Sequence, residues 1–244
     1  MQGINLRAFY QSPLGETTRQ LLAARLGPLL PRARDAVVLG LGHAEPYLTA
    51  AACGEAITLA LAPARLGASP WPEGEANRSA LVDELDLPLG ESVVDVVLVV
   101  HGLEISDSPE DMLHEVWRVL APQGRLVLVA PNRSGMWSSR DASPFGHGQP
   151  FSRPQLSRLL NEAQFSITRF DHALFLPPSA HGLMQRLARV VEWLGGVLWP
   201  SASGVTVVEA VKQVYAFAPA RRKRRFMPQL PPVLSPQPVR REPS

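Results

Sequence analysis

Cysteine is almost missing from this chain: Cys53 is the only one among 244 residues. That excludes an intrachain disulfide and a cysteine-built metal cage, and makes a reducing cytoplasm the expected compartment. Long apolar runs are missing as well. No stretch reaches the ~18–20 residues of a membrane span, and no basic-then-apolar leader opens the sequence, so neither spanning nor export is expected. The net charge of +2 is too small to argue for a nucleic-acid partner. No two histidines pair at i, i+4, and no metal site is expected. A Gly-Lys-Ser/Thr phosphate loop and a serine-hydrolase elbow are also absent.

What is present is the alternation of a large α/β domain, for which 244 residues are ample. Residues 16–30 place leucines at helical spacing before Pro31. Ala36–Leu41 reads as a buried strand, and Gly42-His43-Ala44-Glu45 opens a helix. Ile57–Leu61 is a second strand, and residues 63–80 read as a loop or irregular helix. The valine-rich run Val93–Val100 has the pattern of a strand buried on both faces. A helix over 108–120 and a strand over 125–130 complete a right-handed crossover unit. Beyond a long loop over 132–150 come a helix from Phe151-Ser152-Arg153-Pro154, a strand over 165–175, an amphipathic helix over 181–198 and a last strand over 204–217. Residues 219–244, with Arg221-Arg222-Lys223-Arg224-Arg225 and a proline-rich continuation, lack periodicity and read as a disordered tail behind a domain over 1–218.

The block Asp83-Glu84-Leu85-Asp86-Leu87-Pro88, the strand opening with Ser92 and Asp95, and Arg118-Val119-Leu120-Ala121-Pro122-Gln123-Gly124 resemble the class I S-adenosylmethionine-dependent methyltransferases, small-molecule type. The resemblance implies a Rossmann-like α/β fold: a seven-stranded, mostly parallel sheet with one antiparallel strand and helices on both faces. It implies S-adenosylmethionine as cofactor and a cofactor-binding set of Tyr10, Gly40, Gly42, Leu61 and Asp83. Gly40-Leu41-Gly42 matches the glycine turn, and glycine there permits unusual φ and close backbone approach. Asp83 matches the acid that meets the adenine amino group. Tyr10 lies in an N-terminal segment that, in some relatives, covers the cofactor. Leu61 stands near the end of the second strand, where the family carries the ribose-binding acid. Val38 and Ala44 are further departures from the family pattern.

On the acceptor side the resemblance points to His101, directly after the third-neighbour strand, as a catalytic base. Glu104, Trp137, Arg140 and His147 are candidates for substrate binding. Two of these have a plainer reading, His101 as a strand-end polar group and Trp137 as a loop anchor. Trp193 and Trp199 read as core packing, with a homodimer contact or a hydrophobic lid as alternatives. Two functions compete. One is methyl transfer to an unidentified acceptor, a small molecule before a protein or RNA. The other is a methyltransferase-like protein that has lost catalysis and binds a ligand or partner. A nicotinamide-dependent oxidoreductase fits the Asp83–Gly124 block less well.

Overall fold

The central strand shows why the sheet forms. Val94–Val100 (β4) sends Val96, Leu98 and Val100 into one apolar cluster and Val97 and Val99 into another, on opposite faces of the sheet. A strand buried on both faces belongs inside a parallel sheet covered by helices. The computed structural model describes residues 6–52, 55–138, 143–178, 187–199 and 202–214, which lie in one compact unit ending at Val214.

In chain order the elements are α1 (Leu6–Gln11), α2 (Pro13–Leu26), β1 (Val37–Gly42), α3 (Glu45–Ala52), β2 (Ile57–Pro63), β3 (Ser79–Val82), β4, α4 (Pro109–Val119) and β5 (Leu120–Pro131). Then follow α5 (Arg153–Glu162), β6 (Phe165–Ala173), α6 (Ala188–Leu198) and β7 (Val205–Lys212). The seven strands lie in the order β3-β2-β1-β4-β5-β7-β6. All are parallel except β7, which runs antiparallel between β5 and β6. The expected architecture is therefore present.

Local chemistry sets the ends of the elements. Ser12 caps α2 through Gly15 N–H, with Pro13 in the first turn, and Ser152 and Gln155 form a capping box on α5. Asp95 accepts a 2.8 Å hydrogen bond from Val37 N–H and so ties the start of β1 to β4. Leu22, Leu26, Tyr47 and Leu48 of α2 and α3 fill one face of the sheet. Met112, Leu113, Val116, Leu156 and Leu160 of α4 and α5 fill the other.

The structure departs from the sequence reading in four places. Residues 79–82, of which 79 and 80 fall in the expected loop, form the edge strand β3, and residues 6–11 add a short helix before α2. The last strand stops at Lys212. Trp193 and Trp199 are not core residues; each is 66% exposed. The expected tail over 219–244 and Arg140 lie outside the described residues.

Candidate active site

Parallel strands bring their carboxyl ends to one edge, where open α/β sheets bind ligands. At that edge β1 ends in Gly42, whose φ of +95° and an added Cβ only 2.2 Å from Val100 O leave room for glycine alone. The next residue, His43, donates its N–H to Val100 O at 2.7 Å. Gly40 also packs against the next helix: a Cβ there would stand 2.8 Å from both Ala44 Cβ and Leu48 Cδ1, so glycine lets α3 approach β1 closely.

A cavity of about 490 Å³ opens over the ends of β1 and β2. Leu6 and Arg7 of α1, His43, Glu45, Pro46 and the β2–β3 connection through Trp71 line it. Arg7 Nη2 hydrogen-bonds Ser69 Oγ across its mouth. Two lining residues carry buried polar atoms without hydrogen-bond partners, His43 Nε2 and Glu45 Oε2. Burial, with help from His101 and Arg7, pushes the His43 imidazole down to about 3, so it is neutral at physiological pH. Burial raises the Glu45 carboxyl. The 3.5 Å contact between His43 Nδ1 and Glu45 Oε2 is therefore not an ion pair at neutral pH.

Beside this cavity His101 closes β4 with φ at +53°, a left-handed conformation that costs a non-glycine residue roughly 1–2 kcal/mol. Its ring makes two hydrogen bonds, Nδ1 to Glu104 Oε1 at 2.9 Å and Nε2 to Tyr10 Oη at 2.8 Å. The Tyr47 hydroxyl donates to Tyr10 Oη at 3.2 Å. Tyr10 then gives its own hydrogen to His101 Nε2, and His101 Nδ1–H points at Glu104. Burial raises both phenols, so both stay protonated at neutral pH. All four side chains are buried or nearly so, and Glu104 Oε2 remains without a hydrogen-bond partner. The Phe145 ring centroid lies 4.5 Å from that of His101, the two planes tilted by 43°, with Trp137 edge-on behind it.

The sequence candidates thus separate into groups. Tyr10, His101 and Glu104 come together, and Glu104 holds His101 rather than facing an open space. Trp137 is fully buried, with its indole N–H on Leu176 O at 2.7 Å, and walls the site instead of lining its opening. His147 is half-buried on the loop whose Gln149 N–H binds Glu104 O. Leu61 sits in the apolar cluster opposite Leu41. Asp83 is exposed, and its Oδ1 accepts from Leu85 N–H at 2.9 Å within its own turn. Arg65 reaches across from beyond β2, donating to Ile105 O, Glu84 and Asp107 at 2.6, 3.2 and 3.0 Å. Sequence reasoning missed Arg7, Glu45, Tyr47 and Arg65. Glu45 alone had a usable signal, as the first carboxylate after the glycine turn.

Residues 39–128 match the family model described as a methyltransferase domain. By this match over residues 39–128 and by its fold, the chain is similar to the class I methyltransferases. Among solved structures it is similar to an S-adenosylmethionine-dependent methyltransferase from Thermotoga maritima, with TM-score 0.60 and 16% identity over 85% of this chain and 94% of that one. It is also similar to the methyltransferase held in complex with the Trm112 activator from Haloferax volcanii, with TM-score 0.61 and 14% identity over 86% and 98%. A third is geranyl diphosphate C-methyltransferase from Streptomyces coelicolor, with TM-score 0.55 and 17% identity over 85% and 88%. No curated protein matches the sequence. In this methyltransferase fold the cavity and the His101 network share the carboxyl edge of the sheet.

Proposed function

We propose that the chain binds S-adenosylmethionine over the ends of β1 and β2 and transfers its methyl group to a small-molecule acceptor placed by His101. The observation that carries this reading is the Glu104–His101–Tyr10 relay beside a cavity with unpartnered polar atoms. The residues fit the cofactor in part. His43 Nε2 and Glu45 Oε2 are buried groups that want partners, and unmet hydrogen-bonding capacity is costly until a ligand supplies them. Glu45, from the first turn of α3, offers the carboxylate that Leu61 does not. Arg7 and Ser69 suit a carboxylate at the mouth. Asp83 keeps one oxygen available for an amino group.

Bound there, the cofactor supplies an electrophilic methyl on a sulfonium. His101 and its neighbours do the rest. Glu104 accepts from Nδ1 and fixes the tautomer, leaving Nε2 as the acceptor of a proton. Tyr10 occupies Nε2 with a phenolic O–H, which marks the place where an acceptor hydroxyl would be held and deprotonated. The aromatic wall of Phe145 and Trp137 keeps water from the ring.

Isothermal titration with S-adenosylmethionine tests the first step. A dissociation constant of roughly 10–100 μM is expected, since a missing ribose acid removes about one charged hydrogen bond from a low-micromolar site. Glu45→Gln should weaken it roughly tenfold. No heat from the folded wild-type chain would sink the reading. One observation favours a second function, a binding module without catalysis: Arg65 is committed to three acceptors between β2 and the β4 end, which narrows the lane beside Asp83. Arg65→Ala should then change cofactor affinity little, whereas a true cofactor lane should bind more tightly once it is cleared.

A further inference from the structure

Helix α6 is built inside out. Its acid, Glu192, is buried, and its carboxylate accepts from Leu174 and Phe175 N–H at 2.9 Å each. Ala188 is buried on the same side, and Gly195 packs so closely on Phe175 that a Cβ would stand 2.4 Å from that ring. The opposite side carries Val190, Trp193, Leu194 and Leu198 at i, i+3, i+4 and i+8, all exposed, with Leu187 and Trp199 exposed at its two ends. A surface helix ordinarily buries that stripe. Contiguous apolar surface of this kind marks a place that something else covers.

Its position gives the face a direction. β6 ends at Ala173 beside Val205, the start of β7, so the connection that holds α6 leaves and returns at the carboxyl edge of the sheet. The Glu192 contacts pin α6 directly after β6, and Leu176 O takes the indole N–H of Trp137, whose ring touches Phe145 beside His101. The apolar stripe therefore belongs to the same rim as the candidate site.

We propose that the outer face of α6 docks on an anionic membrane surface. Two features favour lipid over a second copy. The stripe is leucine and valine with tryptophans, side chains that seat an apolar body in acyl chains and an indole N–H at the headgroups. The sequence also carries Arg221-Arg222-Lys223-Arg224-Arg225. A like-charged run of this kind repels its own copy and attracts an anionic leaflet, and reversible anchoring needs an apolar signal together with a basic one. The proposal does not depend on the cofactor reading, because binding to lipid requires no cofactor.

Cosedimentation of the full chain with vesicles of phosphatidylcholine, alone or mixed equally with phosphatidylglycerol, tests it. The chain should pellet with the anionic vesicles and far less with the neutral ones, and its tryptophan emission should shift to the blue. Trp193→Ser/Trp199→Ser should lower partitioning by roughly tenfold or more while leaving the melting temperature unchanged, since both rings are exposed. Removing residues 219–244 should weaken binding and flatten its dependence on salt. A wild-type chain that stays in the supernatant with anionic vesicles would overturn the proposal, as would a double variant that binds equally well. Sedimentation velocity showing a dimer that the double variant breaks, without vesicle binding, would assign the face to a second copy instead.

Discussion

His43 is neutral in the fold and basic once released, and that difference makes stability depend on pH. Its folded value of about 3 lies below the ~6.5 of an unfolded histidine. Between those two values the unfolded chain holds a proton that the native chain does not, so stability rises with pH across the window and is lost as pH falls from ~6.5 toward 3. Glu45 and Glu192, raised by burial, act with the opposite sign above the ordinary carboxylate range. A difference measurement isolates the histidine. The stability advantage of wild type over His43→Gln, from urea midpoints, should be about 2 kcal/mol smaller at pH 5 than at pH 7. An equal difference at both pH values would mean that His43 is not held neutral. At His101 the expectation concerns rate. Once an acceptor is identified, His101→Gln should lower kcat by roughly 10²–10⁴-fold, and Glu104→Gln should shift the pH profile of kcat while leaving cofactor affinity unchanged.

At the scale of elements, Gly40 and α3 make a sharper test than the glycine turn as a motif. Valine at Gly40 would drive Ala44 and Leu48 away, and overpacking of this kind costs about 1–3 kcal/mol. The expected result is a lower melting temperature, with cofactor affinity reduced only as α3 shifts Glu45. Lost affinity with an unchanged melting temperature would assign Gly40 to the ligand. The sequence was legible where period and chemistry agree: the valine run of β4, the proline-started helices, and the Asp83–Gly124 block that announced the fold. It was silent on β3, which is only four residues long and partly exposed at the edge of the sheet, so that neither burial nor alternation marks it. The site was half legible. His101 and Tyr10 could be named, but 91 positions separate them, and only the folded sheet edge joins their side chains. Glu104 was read as facing substrate because sequence does not reveal which way a buried carboxylate turns. Trp193 was read inward because helical spacing cannot tell an apolar stripe that is covered from one left in water.

For the whole molecule, truncating residues 219–244 should leave the melting temperature unchanged, because that segment has no apolar periodicity with which to join a core. A fall of several degrees would show that it packs. The order of the strands carries a different consequence, one in time. β7 is the last strand of the sheet in sequence but not the outermost in space, since it pairs with β5 along Arg125–Pro131 and with β6 along Phe165–Ala173. Until it arrives, β5 presents a long open edge of Leu126–Ala130, and β6 has no neighbour at all. A nascent chain must hold these hydrophobic pieces apart until its final strand leaves the ribosome, a period in which unpaired edges invite aggregation. Fragments that end before Val205 should consequently be insoluble rather than merely less stable, and refolding should be slow, limited by the insertion of one strand between two that wait for it.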